Sequence, residues 1–253
     1  MYWFACLRTR PHNNDFEKHY LVALATARAT NPNLKPILLL DGTITPILKK
    51  CRELGTTIIQ HQVSIAPGIK AHYGHVDVPL GTFLRIDIPI ICERLNIQDQ
   101  VVLYTDCDVM FLGNVMPLVN LRPRVFAVTG ECSRVMSDAD LNAGVMVMNW
   151  REMLLDHDTL RSFISRSWHR ILKGPFDQEA YKLFYGGRLD GLDGIYNWRP
   201  YWGDNPDARI IHFHGPKPLS SSFKGVDNLL CDEFYRWRAV FRRKLSRLLW
   251  SIS

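Results

Sequence analysis

Two aspartates with one residue between them are the first side chains in this sequence whose type and spacing could do chemistry. Asp106 and Asp108 follow the apolar run at residues 101–105, which has the composition of a buried strand. Side chains alternate along an extended chain, so both carboxylates project to one side and Cys107 to the other. A hard cation such as Mg²⁺ or Mn²⁺ would relieve their repulsion and still bind phosphate oxygens. The pair alone is equally typical of a cap or a turn.

A second polar group belongs to another apolar run, at residues 209–213. His212 and His214 lie at the end of that run and are followed by Gly215 and Lys217. If both runs are strands of one α/β sheet, their carboxyl ends meet at the edge that binds ligands. Two aspartates and one histidine suit Mn²⁺ with a bound diphosphate, where the metal acts as a Lewis acid on the leaving group. Lys217 would stabilise the same negative charge, whereas we interpret His214 as a core histidine.

The elements that would position these groups alternate between strand and helix patterns. Apolar strand patterns occur at residues 2–7, 35–40, 56–62, 101–113, 125–129, 141–150 and 209–213. Helical patterns occur at residues 16–30, 45–54, 81–95 and 158–172 and from residue 176 onwards. This alternation predicts an α/β fold with a mostly parallel sheet and flanking helices. Pro89 predicts a break in the third helix, and Asp177 is placed either to cap the last helix or to face a ligand.

One stretch between the third strand and the third helix carries no clear period. Residues 67–79 contain Gly68 and Gly74, which predict a long loop over one edge of the sheet. Three histidines lie in or near this loop, namely His61, His72 and His75. Their spacing is not that of a metal site, so we interpret them as ordinary loop histidines.

The composition limits the class of protein. A length of 253 residues with 47% hydrophobic residues is ordinary for a globular chain with a sizeable core. The six cysteines form no CxxC pair, which predicts reduced thiols in a reducing compartment. No apolar run approaches the ~18 residues that a membrane-spanning helix needs, and the apolar start is too short for a signal peptide. These features predict a cytoplasmic protein.

The excess positive charge of the chain lies at residues 234–250. The formal net charge is +6, and this stretch contains no acid and the basic residues Arg236, Arg238, Arg242, Arg243, Lys244 and Arg247. An apolar stripe follows the same predicted helix through Phe234, Trp237, Phe241, Leu245, Leu248 and Ile252, and Arg238 and Lys244 blur its boundary. We therefore predict a main domain at residues 1–223 and a basic amphipathic appendage at residues 224–253. The appendage either binds the anionic inner face of a membrane or packs on its own domain. Charge confined to one end argues against a nucleic-acid partner.

Five segments together resemble one enzyme family. In chain order they are VVLYTDCDVMF, LNAGVMVMNW, FDQEAY, YNWRPYWG and IIHFHGPKP. This series resembles the retaining nucleotide-sugar glycosyltransferases of glycosyltransferase family 8, the glycogenin and bacterial galactosyltransferase type. The resemblance covers residues 82–218. It implies a Rossmann-like GT-A fold, a Mn²⁺ (or Mg²⁺) cofactor, a UDP-sugar donor and transfer of a hexose with retention to a hydroxyl of a glycan, glycolipid or protein.

The resemblance also implies roles for individual residues. It makes Asp106, Asp108 and His212 the metal ligands. It gives donor contacts to Arg85, Asp106, Asn142, Ala143, Gly144 and Lys217. It gives Asp177 and Gln178 the position of the catalytic pair beside the reacting face of the sugar. Asp177 is then either a nucleophile or a positioning residue, and the sequence does not choose between these roles.

Two departures and two alternatives accompany the resemblance. Arg8 and Thr9 stand where the family usually has an acid near the nucleotide base, and Pro216 alone forms a spacer that is longer in the family. A haloacid-dehalogenase-like phosphohydrolase would also use a DxD, but on its first strand. A non-catalytic sugar-binding relative is the other alternative. The aromatic residues at 196–202 either belong to the core or stack on an acceptor sugar.

Overall fold

The structure is a computed structural model that describes residues 1–10, 13–72, 77–137 and 140–250. Its strands are β1 (Tyr2–Arg8), β2 (Lys35–Asp41), β3 (Thr57–Gln60), β4 (Val102–Thr105), β5 (Val109–Phe111), β6 (Phe126–Thr129), β7 (Asn142–Met148), β8 (Asp190–Gly191) and β9 (Ile210–His212). Within the described residues, seven strands form one sheet in the order β3-β2-β1-β4-β7-β6-β8. Neighbours are parallel except where β7 runs antiparallel to β4 and β6. The predicted mostly parallel α/β sheet is confirmed.

Helices cover both faces of this sheet. They are α1 (Asp15–Thr30), α2 (Pro46–Glu53), α3 (Ala66–His72), α4 (Asp77–Thr82), α5 (Ile88–Arg94), α6 (Trp150–Arg166), α7 (Trp168–Ile171), α8 (Phe176–Tyr185) and α9 (Asp232–Trp250). The first two and α9 pack on one face, and α3 to α8 pack on the other. None of the helices within the described ranges is both long and apolar enough to cross a bilayer.

Side-chain alternation on the central strands divides the core into two layers. On β1, Trp3, Ala5 and Leu7 face the layer that contains α1 and α9, whereas Phe4 faces the layer that contains α5 to α8. Each large apolar side chain buried in this way stabilises the fold by about 1.5–3 kcal/mol. Because both faces of the strands are covered, the sequence of each central strand is a continuous apolar run.

The prediction of a loop at residues 67–79 is wrong for the part of this segment that the structure describes. Residues 66–72 form α3 and residues 77–82 form α4, while residues 73–76, including His75, lie outside the described residues. Pro67 lies in the first turn of α3, where a missing N–H costs nothing. Ile69 and Leu80 are buried and anchor the two short helices in the core. Tertiary packing therefore overrides the turn signals of this segment.

Three boundaries also differ from the sequence prediction. The strand expected to reach residue 150 ends at Met148, and α6 begins at Trp150 rather than at residue 158. The buried positions of α6 start with Trp150 and Met153, so its helical period begins inside what looked like an apolar strand. The N-cap of α8 is Pro175, and Asp177 lies in the first turn. The predicted break near Pro89 is confirmed, because a 3₁₀ turn ends where α5 begins.

Candidate metal centre

The two aspartates lie where the chain leaves the main sheet for a separate ribbon. The predicted strand at residues 101–113 is divided into β4, which belongs to the seven-stranded sheet, and β5, which pairs antiparallel with β9. The N–H of Asp106 still donates to the carbonyl of Gly144 on β7, at 2.8 Å. In the ribbon, Val109 pairs with His212. This pairing places His212 beside Asp108 although the two residues are distant in sequence.

Asp106, Asp108 and His212 form a group that could hold a metal ion. One ligand atom from each side chain lies within 4.8 Å of the other two. The Nε2 atom of His212 is 3.6 Å from an oxygen of Asp108 and 3.9 Å from an oxygen of Asp106. These distances are too long for direct hydrogen bonds, so the space between the three atoms suits a shared cation.

The other ring nitrogen of His212 fixes its orientation. Nδ1 lies 2.8 Å from the amide oxygen of Asn197. The Nδ2 group of Asn197 donates to Thr129 and to Asn142, at 2.7 and 3.0 Å, so its oxygen is the atom that accepts from His212. Burial holds the pKa of His212 well below its usual range. The ring is therefore neutral, with the Nε2 lone pair turned toward the two carboxylates, as metal-binding histidines require.

Lys217 supplies a positive charge at the same place. Its ammonium contacts the Asp108 carboxylate and donates to the carbonyl of Phe213 at 2.9 Å. Burial alone would raise the pKa of Asp108, but the nearby ammonium of Lys217 outweighs this effect and holds that pKa below its usual range. Asp108 is therefore an anion that can ligate a metal.

A buried ion pair lies on the other side of Asp106. The side chain of Arg85 is 4% exposed, and its Nε lies 2.7 Å from an oxygen of Asp177. The same guanidinium donates to Asp106 at 3.1 Å, contacts the carbonyl of Ala143 and lies over the ring of Tyr104 at 4.5 Å. Burial raises the pKa of Asp177 more than Arg85 lowers it. Asp177 is thus a buried partner of Arg85, with 2% of its surface exposed.

The small residues at the start of β7 make room for protein groups. A Cβ atom at Gly144 would collide with the ring of His212, so glycine permits the close approach of the two segments. The N–H of Gly144 donates to Asn142 at 3.1 Å, and the N–H of Ala143 donates to Gln178 at 2.9 Å. The resemblance implied donor contacts for these residues; in the structure Gly144 leaves room for the ring of His212.

Glu131 is a site residue that sequence reasoning missed. One carboxylate oxygen accepts from Asn142 at 2.7 Å and from Gln178 at 3.0 Å. The other lies 2.6 Å from His214, whose second nitrogen is 2.8 Å from the hydroxyl of Tyr201. Burial raises the pKa of Glu131, but these partners, chiefly His214, outweigh it and lower that pKa to about 2. Glu131 follows a strand, as Asp106 does, and this position is the one feature of the sequence that could have identified it.

His214 also differs from its interpretation as a core histidine. Its side chain is 27% exposed and is held between Glu131 and Tyr201. Tyr201 and Trp202 are partly buried, whereas Trp198 is buried and packs edge-on against Trp202. These aromatic residues therefore belong partly to the core and are partly exposed to solvent.

A cleft of about 220 Å³ runs from this centre along the carboxyl end of β1. Residues of the candidate metal centre line one part of it, namely Asp106, Asp108 and Lys217, together with Arg85 and Tyr104. The rest of the lining includes Leu7, Arg8, Arg10, Phe16, Asp77 and Val78. Arg8, where an acid was expected, contacts Asp41 and pairs with Asp77 at 3.0 Å. This part of the lining thus offers the guanidinium groups of Arg8 and Arg10 and the carboxylate of Asp77 among apolar side chains.

Comparison with known proteins supports the fold. The sequence matches no protein family profile and no curated protein. Its structure is similar to that of the glycosyltransferase GlyE of Streptococcus pneumoniae TIGR4, with a TM-score of 0.67 and 18% identity over 98% of this chain and 62% of GlyE. It is similar to an active-site Gln-to-Glu mutant of LgtC, with a TM-score of 0.68 and 15% identity over 94% of this chain and 100% of LgtC.

A third similar structure is mouse xyloside xylosyltransferase 1, with a TM-score of 0.60 and 14% identity over 87% of this chain and 99% of that protein. This chain spans about three fifths of the length of GlyE. At these identities the similarity establishes the fold, which is of the GT-A type. The predicted fold class is thereby confirmed, and the activity has to be argued from the site.

Proposed function

We propose that the chain is a metal-dependent retaining glycosyltransferase that moves a hexose from a UDP-sugar to a hydroxyl group of a carbohydrate, glycolipid or protein acceptor. The observation that carries this proposal is the convergence of Asp106, Asp108 and His212 next to a cleft that both aspartates and Lys217 line. A diphosphate that leaves with increasing negative charge is stabilised by a divalent cation and by further positive charge. The site contains ligands for a divalent cation, and the ammonium of Lys217 supplies the further positive charge.

The residues present fit a hard divalent cation. Such ions bind oxygen at about 2.0–2.6 Å, so two ligands of one ion lie roughly 3–4 Å apart. The distances of 3.6 and 3.9 Å from His212 to the two carboxylates are in this range. Two carboxylates and a neutral imidazole suit Mn²⁺, with Mg²⁺ as the alternative. When bound, the cation would supply Lewis-acid stabilisation of the diphosphate.

The remaining roles follow from contacts within the chain. Asn197 holds His212 in the tautomer that presents Nε2, and Arg85 holds Asp106 in place. Lys217 would contact the diphosphate. We assign the donor-binding wall to Arg85, Asp106, Asn142, Ala143, Gly144 and Lys217. Gln178 would contact the sugar while its amide is held by Ala143 and Glu131.

We assign Asp177 a positioning role rather than a nucleophilic one. Its carboxylate is 2.7 Å from Arg85, and the residue is 2% exposed. A covalent intermediate would require this carboxylate to leave its partner and reach the sugar. The acceptor hydroxyl would instead attack from the face that the diphosphate leaves, which gives retention. We expect Asp177→Asn to retain measurable transfer with an α-linked product, and complete loss of transfer in a folded variant would favour the covalent route.

One experiment tests the proposed activity against its alternatives. UDP release would be measured with Mn²⁺ and a panel of UDP-sugars, in parallel with hydrolysis of a generic phosphate ester. We expect UDP release that disappears with a chelator and in Asp108→Asn. Ester hydrolysis without UDP release would favour a haloacid-dehalogenase-like phosphohydrolase. Binding of UDP and Mn²⁺ without turnover on any donor would favour a non-catalytic sugar-binding protein.

The acceptor and the location of the protein form a separate part of the proposal. The outward face of α9 carries Arg243, Lys244 and Arg247, and Trp250 is 80% exposed. The apolar stripe that could enter a bilayer is partly covered, because Phe241 and Leu245 are buried in the core. We therefore propose a cytoplasmic enzyme that binds an anionic membrane surface through charge, near a glycolipid acceptor.

Vesicle sedimentation tests this membrane contact. We expect binding to vesicles with anionic lipid, weaker binding to neutral vesicles, and loss of binding when Arg243, Lys244 and Arg247 are all changed to glutamate. Equal binding of the variant and the unchanged protein would contradict the membrane contact and leave the proposed transferase activity untouched.

A further inference from the structure

The face of α9 that packs on the protein contains an arginine among apolar residues. Phe234, Phe241 and Leu245 are buried, and Arg238 lies between them at helical spacing. In the sequence Arg238 interrupted the apolar stripe without an evident reason. Arg238 is partly buried, and a guanidinium that loses part of its contact with water needs hydrogen-bond acceptors in the protein.

Two arginines of α9 bind backbone carbonyls in one short segment. Arg238 donates from Nε to the carbonyl of Pro218 at 3.1 Å and from Nη2 to that of Ser220 at 2.8 Å. Arg242, one turn later, donates to the carbonyl of Pro218 at 2.9 Å. We call residues 213–220 the strap. Three charge-assisted hydrogen bonds thus join α9 to the end of the strap.

The apolar residues of α9 hold the other end of the strap. The ring of Phe213 contacts those of Phe241 and Phe234 edge-on, with centroids 5.5 and 6.5 Å apart. Phe213 directly follows the metal-ligand candidate His212. A Cβ atom at Gly215, whose φ is +79°, would lie 2.8 Å from Leu229, so the segment before α9 packs closely on the middle of the strap.

Lys217 lies between these attachment points. Its ammonium contacts Asp108 and donates to the carbonyl of Phe213, which belongs to the strap itself. The N–H of Ser220 donates to the carbonyl of Lys217 at 3.2 Å, which closes a turn. Contacts from α9 therefore fix the backbone on both sides of the residue that supplies positive charge to the cleft.

We propose that α9 is a positioning element of the anion-binding site and that Arg238 and Arg242 act by holding Lys217 where a diphosphate binds. This inference rests on the proposed function, because it assigns the diphosphate as the ligand of Lys217. It changes the role of residues 224–253, which the sequence suggested were an appendage. The arginines bound to carbonyls serve the site, and those on the outer face remain available for a membrane surface.

The experiment uses the full chain and titrates it with UDP in the presence of Mn²⁺. Arg238→Met and Arg242→Met keep most of the apolar stem and remove the donors, and Arg243→Met is the matched control on the outer face. Because these hydrogen bonds hold the strap in place, we expect UDP to bind about tenfold more weakly to Arg238→Met, somewhat less so to Arg242→Met, and unchanged to the control. Arg238→Lys should recover part of the loss.

A double-mutant cycle separates positioning from a general structural effect. If Arg238 acts through Lys217, Arg238→Met should have no further effect on UDP affinity in a Lys217→Met background. Additive losses would overturn the inference, as would wild-type affinity in both arginine variants. Thermal unfolding of each variant shows whether it is folded. If the unchanged protein does not bind UDP with Mn²⁺, the proposed function itself is contradicted. If the unchanged protein and the arginine variants bind UDP equally well, only the inference about α9 is contradicted.

Discussion

The candidate metal centre contains two pairs of a cation and a carboxylate, and the two pairs differ in exposure. In the Arg85–Asp177 pair the side chains are 4% and 3% exposed. In the Lys217–Asp108 pair they are 36% and 6% exposed. Arg85 also bonds to the backbone of β7 and lies over Tyr104, whereas Lys217 belongs to a turn that lines the cleft.

The difference teaches which pair can change partners. A buried pair with several hydrogen bonds stabilises one arrangement, and removing either partner leaves an uncompensated charge. A pair that faces solvent can exchange its partner for a metal or a phosphate at small cost. We therefore infer that the Arg85–Asp177 pair keeps one arrangement, whereas the Lys217–Asp108 pair can rearrange when a ligand binds. We call them the fixed pair and the working pair.

The largest expected effect is on the fixed pair. Arg85→Met leaves the buried carboxylate of Asp177 without its partner, and we expect the free energy of unfolding to fall by about 3–5 kcal/mol. Urea denaturation measures this loss. Arg85→Met combined with Asp177→Leu should recover a large part of it, because the unpaired charge is then absent. If Arg85→Met alone lowered the free energy of unfolding by less than about 1 kcal/mol, the pair would not be the strong stabilising contact that we infer.

A smaller effect on the free energy of unfolding is expected from a histidine that burial keeps neutral near the Lys217–Asp108 pair. His19 on α1 is buried against Phe241, and burial lowers its pKa to about 4. An unfolded histidine has a pKa near 6.5, so the unfolded state binds the proton first and stability falls as the pH drops from about 6.5 to 4. His19→Leu should remove about 3 kcal/mol of this pH dependence, at 1.36 kcal/mol per pKa unit.

Urea denaturation at pH 7 and pH 4 provides the measurement. The difference between the two pH values should be smaller in His19→Leu than in the unchanged protein, while His72→Leu, an exposed histidine on α3, serves as the control. Identical pH dependence in all three proteins would mean that His19 is not held neutral by burial.

The smallest effect on stability is expected from the working pair. Lys217→Met should lower the free energy of unfolding by about 1 kcal/mol, and Mn²⁺ should restore it, because Asp108 can accept a metal in place of the ammonium. Release of UDP should fall about tenfold to a hundredfold, as expected for loss of a charged contact to the leaving group. If Mn²⁺ stabilised Arg85→Met as well as Lys217→Met, the two pairs would not differ as we describe.

The sequence predicted those parts of the site that follow apolar runs. Asp106, Asp108 and His212 each end such a run, and strands deliver the residues at their ends to one edge of a sheet. The separate β5–β9 ribbon was not predicted, because residues 101–113 were interpreted as one strand although they contain two strands that belong to different sheets.

Residues that act through loops escaped prediction. Glu131 lies after β6 in a stretch without a period, and its partners His214 and Tyr201 come from distant segments. Arg238 looked like a defect in an amphipathic pattern, since nothing in the sequence indicates that carbonyls of residues 218 and 220 lie opposite it. Both cases depend on tertiary contacts that local patterns do not encode.

The β5–β9 ribbon has a consequence for the order of folding. Its two strands bring Asp108 and His212 together from distant parts of the chain, and such long-range pairings form late and slowly. During synthesis both aspartates leave the ribosome well before the histidine does. A nascent chain therefore carries a pair of carboxylates with no third candidate ligand, and the candidate metal site is completed only when β9 has emerged and paired with β5.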